Sequence, residues 1–357
     1  MERTPPHKGR GATFNPGNRF APVQREAVDD GWWQDAVPER LSTLIRDESA
    51  RSALSWNRSP DLPFDRSLNP YRGCEHGCIY CYARPSHAYW DLSPGLDFET
   101  RLIARRGLVE RLREELCQPG YICRPITLSG NTDCYQPLEA ERGTTRRLLE
   151  FLLECRHPVS IVTKSALILR DLDLLTTLAE RNLVRVMISL TSLDRDLKRT
   201  LEPRTASPTA RLRTIEHLAR SGMPVGTLVA PVIPGLTEHE MERLLEAARN
   251  AGADCAGWTL LRLPHEVAPL FEAWLHAHYP ERAGKVMSLM RQCRGGMTYD
   301  ASYGKRMRGQ GVFADLLAQR FKQACRRLGF NEPAARSAQQ LDDTAFRPPR
   351  DQGDLFV

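Results

Sequence analysis

From residue 97 onward the chain alternates between stretches whose apolar residues recur every three to four positions and short runs that are apolar throughout. Leu102, Ile103, Leu108, Val109, Leu112 and Leu116 follow the first rhythm and predict an amphipathic helix. The run from Pro125 to Ser129 follows the second, then a helix near 141–155, an apolar run from Val159 to Thr163, and a helix carrying Leu172, Leu175 and Leu178. Val184 to Leu190 reads as a strand, and Ser207-Pro208 opens a helix that ends near Gly222. Val225 to Ile233 is a further strand, Thr237 to Glu240 reads as a capping box, and Ala256 to Leu261 closes the series.

Apolar runs without alternation, separated by helices, predict strands buried on both faces of a parallel sheet with crossover helices, an α/β fold. With one strand just before Cys74 the count is about six β/α units, which suits an open doubly wound sheet or a partial (β/α)6 barrel. Both architectures place chemistry at the C-terminal ends of the strands. Residues 1–58 mix Pro, Gly and charge without steady periodicity and read as an extension, with Trp32, Trp33 and Trp56 suggesting that part of it packs onto the body. The expected core spans 59–265, a helical segment 266–330, and a disordered tail 331–357.

The chain has 357 residues, 41% of them apolar and 26% charged, enough for a sizeable core. It has no uninterrupted apolar stretch near the roughly 18 residues of a membrane helix, so a cytoplasmic protein without a membrane partner is expected. The net charge of +6 is too mild to imply nucleic acid by itself, but residues 281–330 hold 11 Lys or Arg against three acids. An anionic partner fits that segment. So does a solvated helix face, because Val312, Phe313, Leu316, Leu317, Phe321, Cys325 and Leu328 trace an apolar stripe with the bases opposite.

Of ten cysteines, seven are scattered and three fall together in Asn69-Pro-Tyr-Arg-Gly-Cys74-Glu-His-Gly-Cys78-Ile-Tyr-Cys81-Tyr-Ala-Arg84. Positions i, i+4 and i+7 would share one helix face, but Pro70, Gly73 and Gly77 disfavour a continuous helix. In a loop, thiolates this close repel unless a metal neutralises them, which makes them candidate ligands. Structural zinc wants a fourth ligand, for which His76 or His87 is available. A 4Fe-4S cluster held by three cysteines keeps one iron open for a substrate or cofactor.

The spacing C-x3-C-x-aromatic-C, with Tyr80 as the aromatic, resembles the loop of the radical S-adenosylmethionine (SAM) superfamily. The resemblance implies a partial (β/α)6 barrel in which Cys74, Cys78 and Cys81 hold a 4Fe-4S cluster. The amino and carboxylate groups of SAM chelate the fourth iron, and Tyr80 lies near the adenine. A reductant such as flavodoxin or ferredoxin supplies one electron, and the 5′-deoxyadenosyl radical then takes hydrogen from a substrate. Where the family usually has Gly-Gly-Glu, this chain has Ser129-Gly130-Asn131-Thr132, whose oxygens can accept from an ammonium. Thr163-Lys164 falls where the carboxylate and ribose would lie, and Val232 and Ile233 fall in the segment that lines the adenine.

Within the superfamily the chain is similar to the spore photoproduct lyase-like group over about residues 62–264. That likeness implies nucleic-acid repair or modification. The lyase's hydrogen-donating cysteine falls at Gly130 here, and the nearest thiol, Cys134, follows Asp133 instead. Cys134 and Tyr135 are candidate hydrogen donors. Radical modification of a protein or small molecule, and a non-catalytic zinc- or Fe-S-binding protein that interacts with nucleic acid or serves as a scaffold, are the other readings.

Overall fold

In a computed structural model of the chain, residues 6–20, 41–333 and 340–349 are described. Ten strands are present among them: β1 (Leu44–Ser49), β2 (Leu54–Trp56), β3 (Arg66–Leu68), β4 (Tyr71–Arg72), β5 (Arg101–Arg106), β6 (Ile126–Leu128), β7 (Val159–Thr163), β8 (Val184–Ser189), β9 (Val225–Val232) and β10 (Cys255–Leu260). Seven form one sheet in the order β10-β9-β8-β7-β6-β3-β2. β3 and β6 through β10 run parallel, and β2 adds an antiparallel edge. Six parallel strands with crossover helices match the expected α/β architecture, and the sheet stays open between β10 and β2.

The strands are where the unbroken apolar runs lie because both faces are covered. Ile126, Val159, Ile161, Val184, Val186 and Ile188 are fully buried, and β-branched side chains suit such a pleated interior. The helix Leu108–Leu116 turns Leu108, Leu112 and Leu116 onto the sheet at one face of its 3.6-residue period. Burying each such leucine stabilises the fold by about 1.5–3 kcal/mol. The helix Pro208–Arg220 begins with Ser207 Oγ accepting from the Ala210 amide at 3.2 Å, with Pro208 in the first turn.

Four expectations are corrected. The helix foreseen from Leu102 begins only at Leu108. Leu102, Ile103 and Ala104 are all buried in succession, which suits β5 lying between β1 and β4, and Gly107 at φ +66° separates strand from helix. The strand immediately before Cys74, β4, pairs antiparallel with β5 in a separate three-stranded sheet, so β3 supplies the first parallel strand. Thr237 caps nothing: its hydroxyl accepts from the Ile233 amide at 2.9 Å, and the helix starts at Met241. Glu240 accepts from Ser192 and Leu193 instead.

The fourth correction concerns the C-terminal part. The helix Val312–Leu328 buries Ala314, Leu317, Phe321, Ala324 and Cys325, while Val312 is 89% exposed and Leu316 47%. Arg320 pairs with Glu242 at 2.7 Å and fixes that rotation. Of the tail, residues 340–349 pack on the body: the Phe346 ring lies 5.2 Å from His157 and 5.6 Å from Tyr121, and the Arg347 amide donates to Cys155 O. Trp32, Trp33 and residues 350–357 lie outside the described residues. Trp56 is exposed, with the Arg66 guanidinium 4.7 Å over its ring.

Candidate active site

The three cysteines sit on the loop that follows β3 and β4, at the C-terminal end of the parallel sheet. A buried guanidinium shapes this loop. Arg84 donates to Cys78 O at 3.0 Å, to Gly77 O at 3.3 Å, and to Pro94 O and Gly95 O, and it pairs with the fully buried Glu99. Glu99 also accepts from the Gly11 and Ala12 amides, each at 2.9 Å, so the N-terminal extension closes over the loop. Gly77 has φ +66°, and a Cβ there would stand 2.8 Å from the Glu99 carboxylate.

The segment after β6 grips the same loop from the other side. Gln136 accepts from the Glu75 amide at 2.9 Å and donates to Gly73 O at 3.2 Å. Asp133 accepts from Thr163 Oγ1 at 2.8 Å, from the Tyr135 amide at 2.9 Å and from the Lys164 amide at 2.9 Å, and lies 3.3 Å from His76 Nδ1. Burial opposes its charge, yet His76 and these donors outweigh burial and hold its carboxyl at about 2. One carboxylate thereby ties the cysteine loop to the ends of β6 and β7.

Between these parts lies a cavity of about 450 Å³. Cys74, Cys78 and Cys81 line it, together with Tyr80, Ser129, Gly130, Asn131, Thr163 and Lys164. Lys164 Nζ stands 5.9 Å from the Tyr80 ring centroid. The Tyr80 hydroxyl bonds to Glu202, whose carboxyl is held at about 2 against burial by Arg211 and Lys164. Leu62 and Phe64 line the mouth, where Arg306 forks onto Asp61 with two contacts of 3.0 Å.

Five of the residues expected here lie elsewhere. Val232 and Ile233 are buried in the core, and Leu228, Ala230 and Pro231, earlier in the same strand, line the cavity. The strand's period of two and its burial on both faces leave the apolar run unable to mark which residues face inward. Thr132 is buried with its hydroxyl donating to Tyr71 O at 2.7 Å. Cys134 is fully buried in the main core, away from the cavity lining, with its thiol raised well above its ordinary value by that burial. Tyr135 is likewise buried, donating to Asp171. A Cβ at Gly130 would approach Ser67 Cβ to 2.8 Å, so the backbone here has no room for a thiol.

The donor set, three cysteine thiols lining one cavity, fits an iron-sulfur cluster. Burial raises the Cys74 and Cys81 thiols and pushes Cys78 up to about 12, a cost that a cationic metal offsets. The His76 amide faces Cys74, and the Ala83 and Arg84 amides face Cys81, all favouring thiolate. Among the described residues no three Cys, His, Asp or Glu side chains converge on one ion position. Of the two candidate fourth zinc ligands, His87 Nε2 meets Arg101 O at 2.9 Å, whereas His76, its Nδ1 beside Asp133, lines the same cavity as the cysteines.

Open parallel sheet, cysteine loop and strand-end cavity together define a class. The chain belongs to the radical SAM superfamily, whose profile matches residues 68–248. It is 35% identical over 261 residues to the uncharacterized protein Rv2578c of Mycobacterium tuberculosis, covering 72% of this chain and 76% of that one. The uncharacterized protein MJ0683 of Methanocaldococcus jannaschii is 27% identical over 173 residues, covering 48% and 62%. Among solved structures, spore photoproduct lyase complexed with dinucleoside spore photoproduct has the same fold, with a TM-score of 0.57 at 16% identity over 80% of each chain. Among the described residues no helix is long and apolar enough to cross a membrane.

Several residues that build the site were not marked by the sequence. Glu99, Glu202 and Arg262 carry no local motif and meet the loop only through the fold. Arg84 closes the cysteine segment that the sequence marked, and burial gives it and Gln136 their role as clamps.

Proposed function

We propose that the protein is a radical SAM enzyme in which Cys74, Cys78 and Cys81 hold a 4Fe-4S cluster and the cavity beside them holds SAM. The observation that carries this reading is the convergence of all three thiols and Lys164 on one cavity at the C-terminal strand ends. When bound, the cluster would supply one-electron reduction of the SAM sulfonium.

The chain's own residues divide the remaining work. Lys164 offers an ammonium to the SAM carboxylate, with its backbone fixed by Asp133. Ser129, Gly130 and Asn131 offer oxygens to the amino group, and the Tyr80 ring offers a face to the adenine. Leu62, Phe64 and Leu260 keep water from the site, and a radical needs that exclusion. A small electron-transfer protein of the flavodoxin or ferredoxin type serves as reductant.

For the substrate, the reading is a nucleic-acid component undergoing repair or modification. The shared fold with a lyase that binds a dinucleoside photoproduct and the basic residues of 281–330 support it. Part of that charge has other duties: Arg294 is buried, Arg306 pairs with Asp61, Arg308 packs over Trp258 and Arg320 pairs with Glu242. The lyase's own hydrogen-return step lacks a counterpart here, because Gly130 has no thiol and Cys134 faces the core.

The test is anaerobic reconstitution with iron and sulfide, then reduction with SAM and detection of 5′-deoxyadenosine by mass spectrometry. Product is expected from the wild type and absent after Cys74→Ala, Cys78→Ala or Cys81→Ala. Lys164→Ala is expected to keep the cluster and weaken SAM binding. Undiminished product from a cysteine variant refutes the ligand set.

A further inference from the structure

Three cations line the cavity, and only one of them lacks an acidic counterpart. Lys164 has the Glu202 carboxylate near it, and Arg306 forks onto Asp61. Arg262, just beyond the C-terminal end of β10, forms no ion pair with any carboxylate among the described residues. Among the described residues its one hydrogen bond is to a poor acceptor, Met307 Sδ at 3.5 Å, and its Nε is buried without a partner.

The surroundings add to this deficit. The Arg262 guanidinium lies 4.8 Å over the Tyr82 ring, which holds it against the cavity wall, and the Tyr82 hydroxyl is anchored on Gly130 O at 2.6 Å. Behind it stands a second guanidinium, Arg294, fully buried, with its own Nε unpartnered and its two terminal nitrogens donating to Lys305 O and Leu261 O. The two like charges repel: Arg294 is lowered by burial first and by Arg262 second, and only Asp300 adds a compensating carboxylate nearby. A buried donor left unsatisfied carries an uncompensated desolvation cost, larger when the group is charged. A guanidinium fork of this kind is the usual partner of a planar or tetrahedral oxyanion.

We propose that Arg262 is a substrate-binding residue that takes an oxyanion, a phosphate or carboxylate, in the part of the cavity at the end of the edge strand β10. This rests on the proposed function for its location beside the SAM site and adds the chemistry of the substrate: an anionic group whose charge completes the Arg262 and Arg294 pair. The geometry makes Arg262 the contact and Arg294 the group that positions the backbone of Leu261 beneath it.

The test uses the full chain and two probes, inorganic phosphate and acetate, titrated calorimetrically at low salt into the wild type, Arg262→Gln and Arg262→Lys. One site that weakens at least tenfold in Arg262→Gln and is partly restored in Arg262→Lys is the expected result, and the tighter of the two probes assigns phosphate or carboxylate. Equal binding by wild type and Arg262→Gln, or no binding to the wild type, overturns the proposal. SAM affinity of the reconstituted protein provides the second arm. It is expected to be unchanged in Arg262→Gln, and a parallel loss would give Arg262 to the cofactor instead. Because the anion titration needs no cluster, a wild type that binds phosphate through Arg262 yet makes no 5′-deoxyadenosine would sink the proposed function and leave this inference standing.

Discussion

The Asp133 carboxylate lies 3.3 Å from His76 Nδ1 and accepts the Lys164 amide at 2.9 Å, so one largely buried side chain in the cavity wall joins the cysteine loop to the strand end that carries the cavity's lysine. Replacing it by Asn keeps the size but turns an amide donor toward groups that are themselves donors. We expect Asp133→Asn to cost about 3–5 kcal/mol, as loss of one partner from a buried charged network does. Urea denaturation checks the stability, and SAM affinity should fall with it. A variant as stable as the wild type would show that the network is dispensable.

Arg84 and Glu99 form a second buried pair, and it reaches from the cysteine loop to Gly11 and Ala12. Arg84→Ala should destabilise by a similar few kcal/mol and leave reconstituted protein with less iron per chain. Removing residues 1–12 should reproduce the iron loss more mildly, because Glu99 keeps Arg84 but loses two amide donors. Iron and sulfide assays after gel filtration make the comparison.

The parts of this arrangement that the sequence made legible share one property: they are local. Runs such as Val159–Thr163 and Val184–Ser189 are apolar because both faces are covered, and the three cysteines stand out by spacing alone. What stayed hidden depends on distant contacts. Arg101–Arg106 continues the rhythm of the following helix in its apolar positions, and only its pairing with β1 and β4 makes it a strand. Val232 and Ile233 were indistinguishable by composition from Leu228, Ala230 and Pro231, since a strand buried on both faces carries no polar mark. Arg262 followed an apolar run like any strand-end residue, and its missing partner is visible only once the cavity is assembled.

His157 supplies a pH dependence. It is fully buried, with Nδ1 3.0 Å from Pro158 O and Nε2 2.7 Å from the Tyr121 hydroxyl, which fits a neutral ring donating through Nδ1 and accepting at Nε2. Burial lowers it from 6.5 to about 4. A base depressed in the fold binds its proton more readily when unfolded, so its contribution is complete above about pH 6.5 and is lost as pH falls toward 4. The loss is on the order of 3 kcal/mol across that window. His87, also lowered to about 4 by burial, acts in the same sense. His157→Gln should flatten part of the acid limb of a plot of Tm against pH, and an unchanged limb would contradict the assignment.

The most direct test of the account is electron paramagnetic resonance of the reduced, iron-reconstituted protein, recorded with and without SAM. Three thiolates from Cys74, Cys78 and Cys81 with a cofactor at the remaining position predict a 4Fe-4S spectrum that changes on addition of SAM and disappears in the three alanine variants. A spectrum indifferent to SAM, or a colourless protein that takes up only zinc, would contradict it.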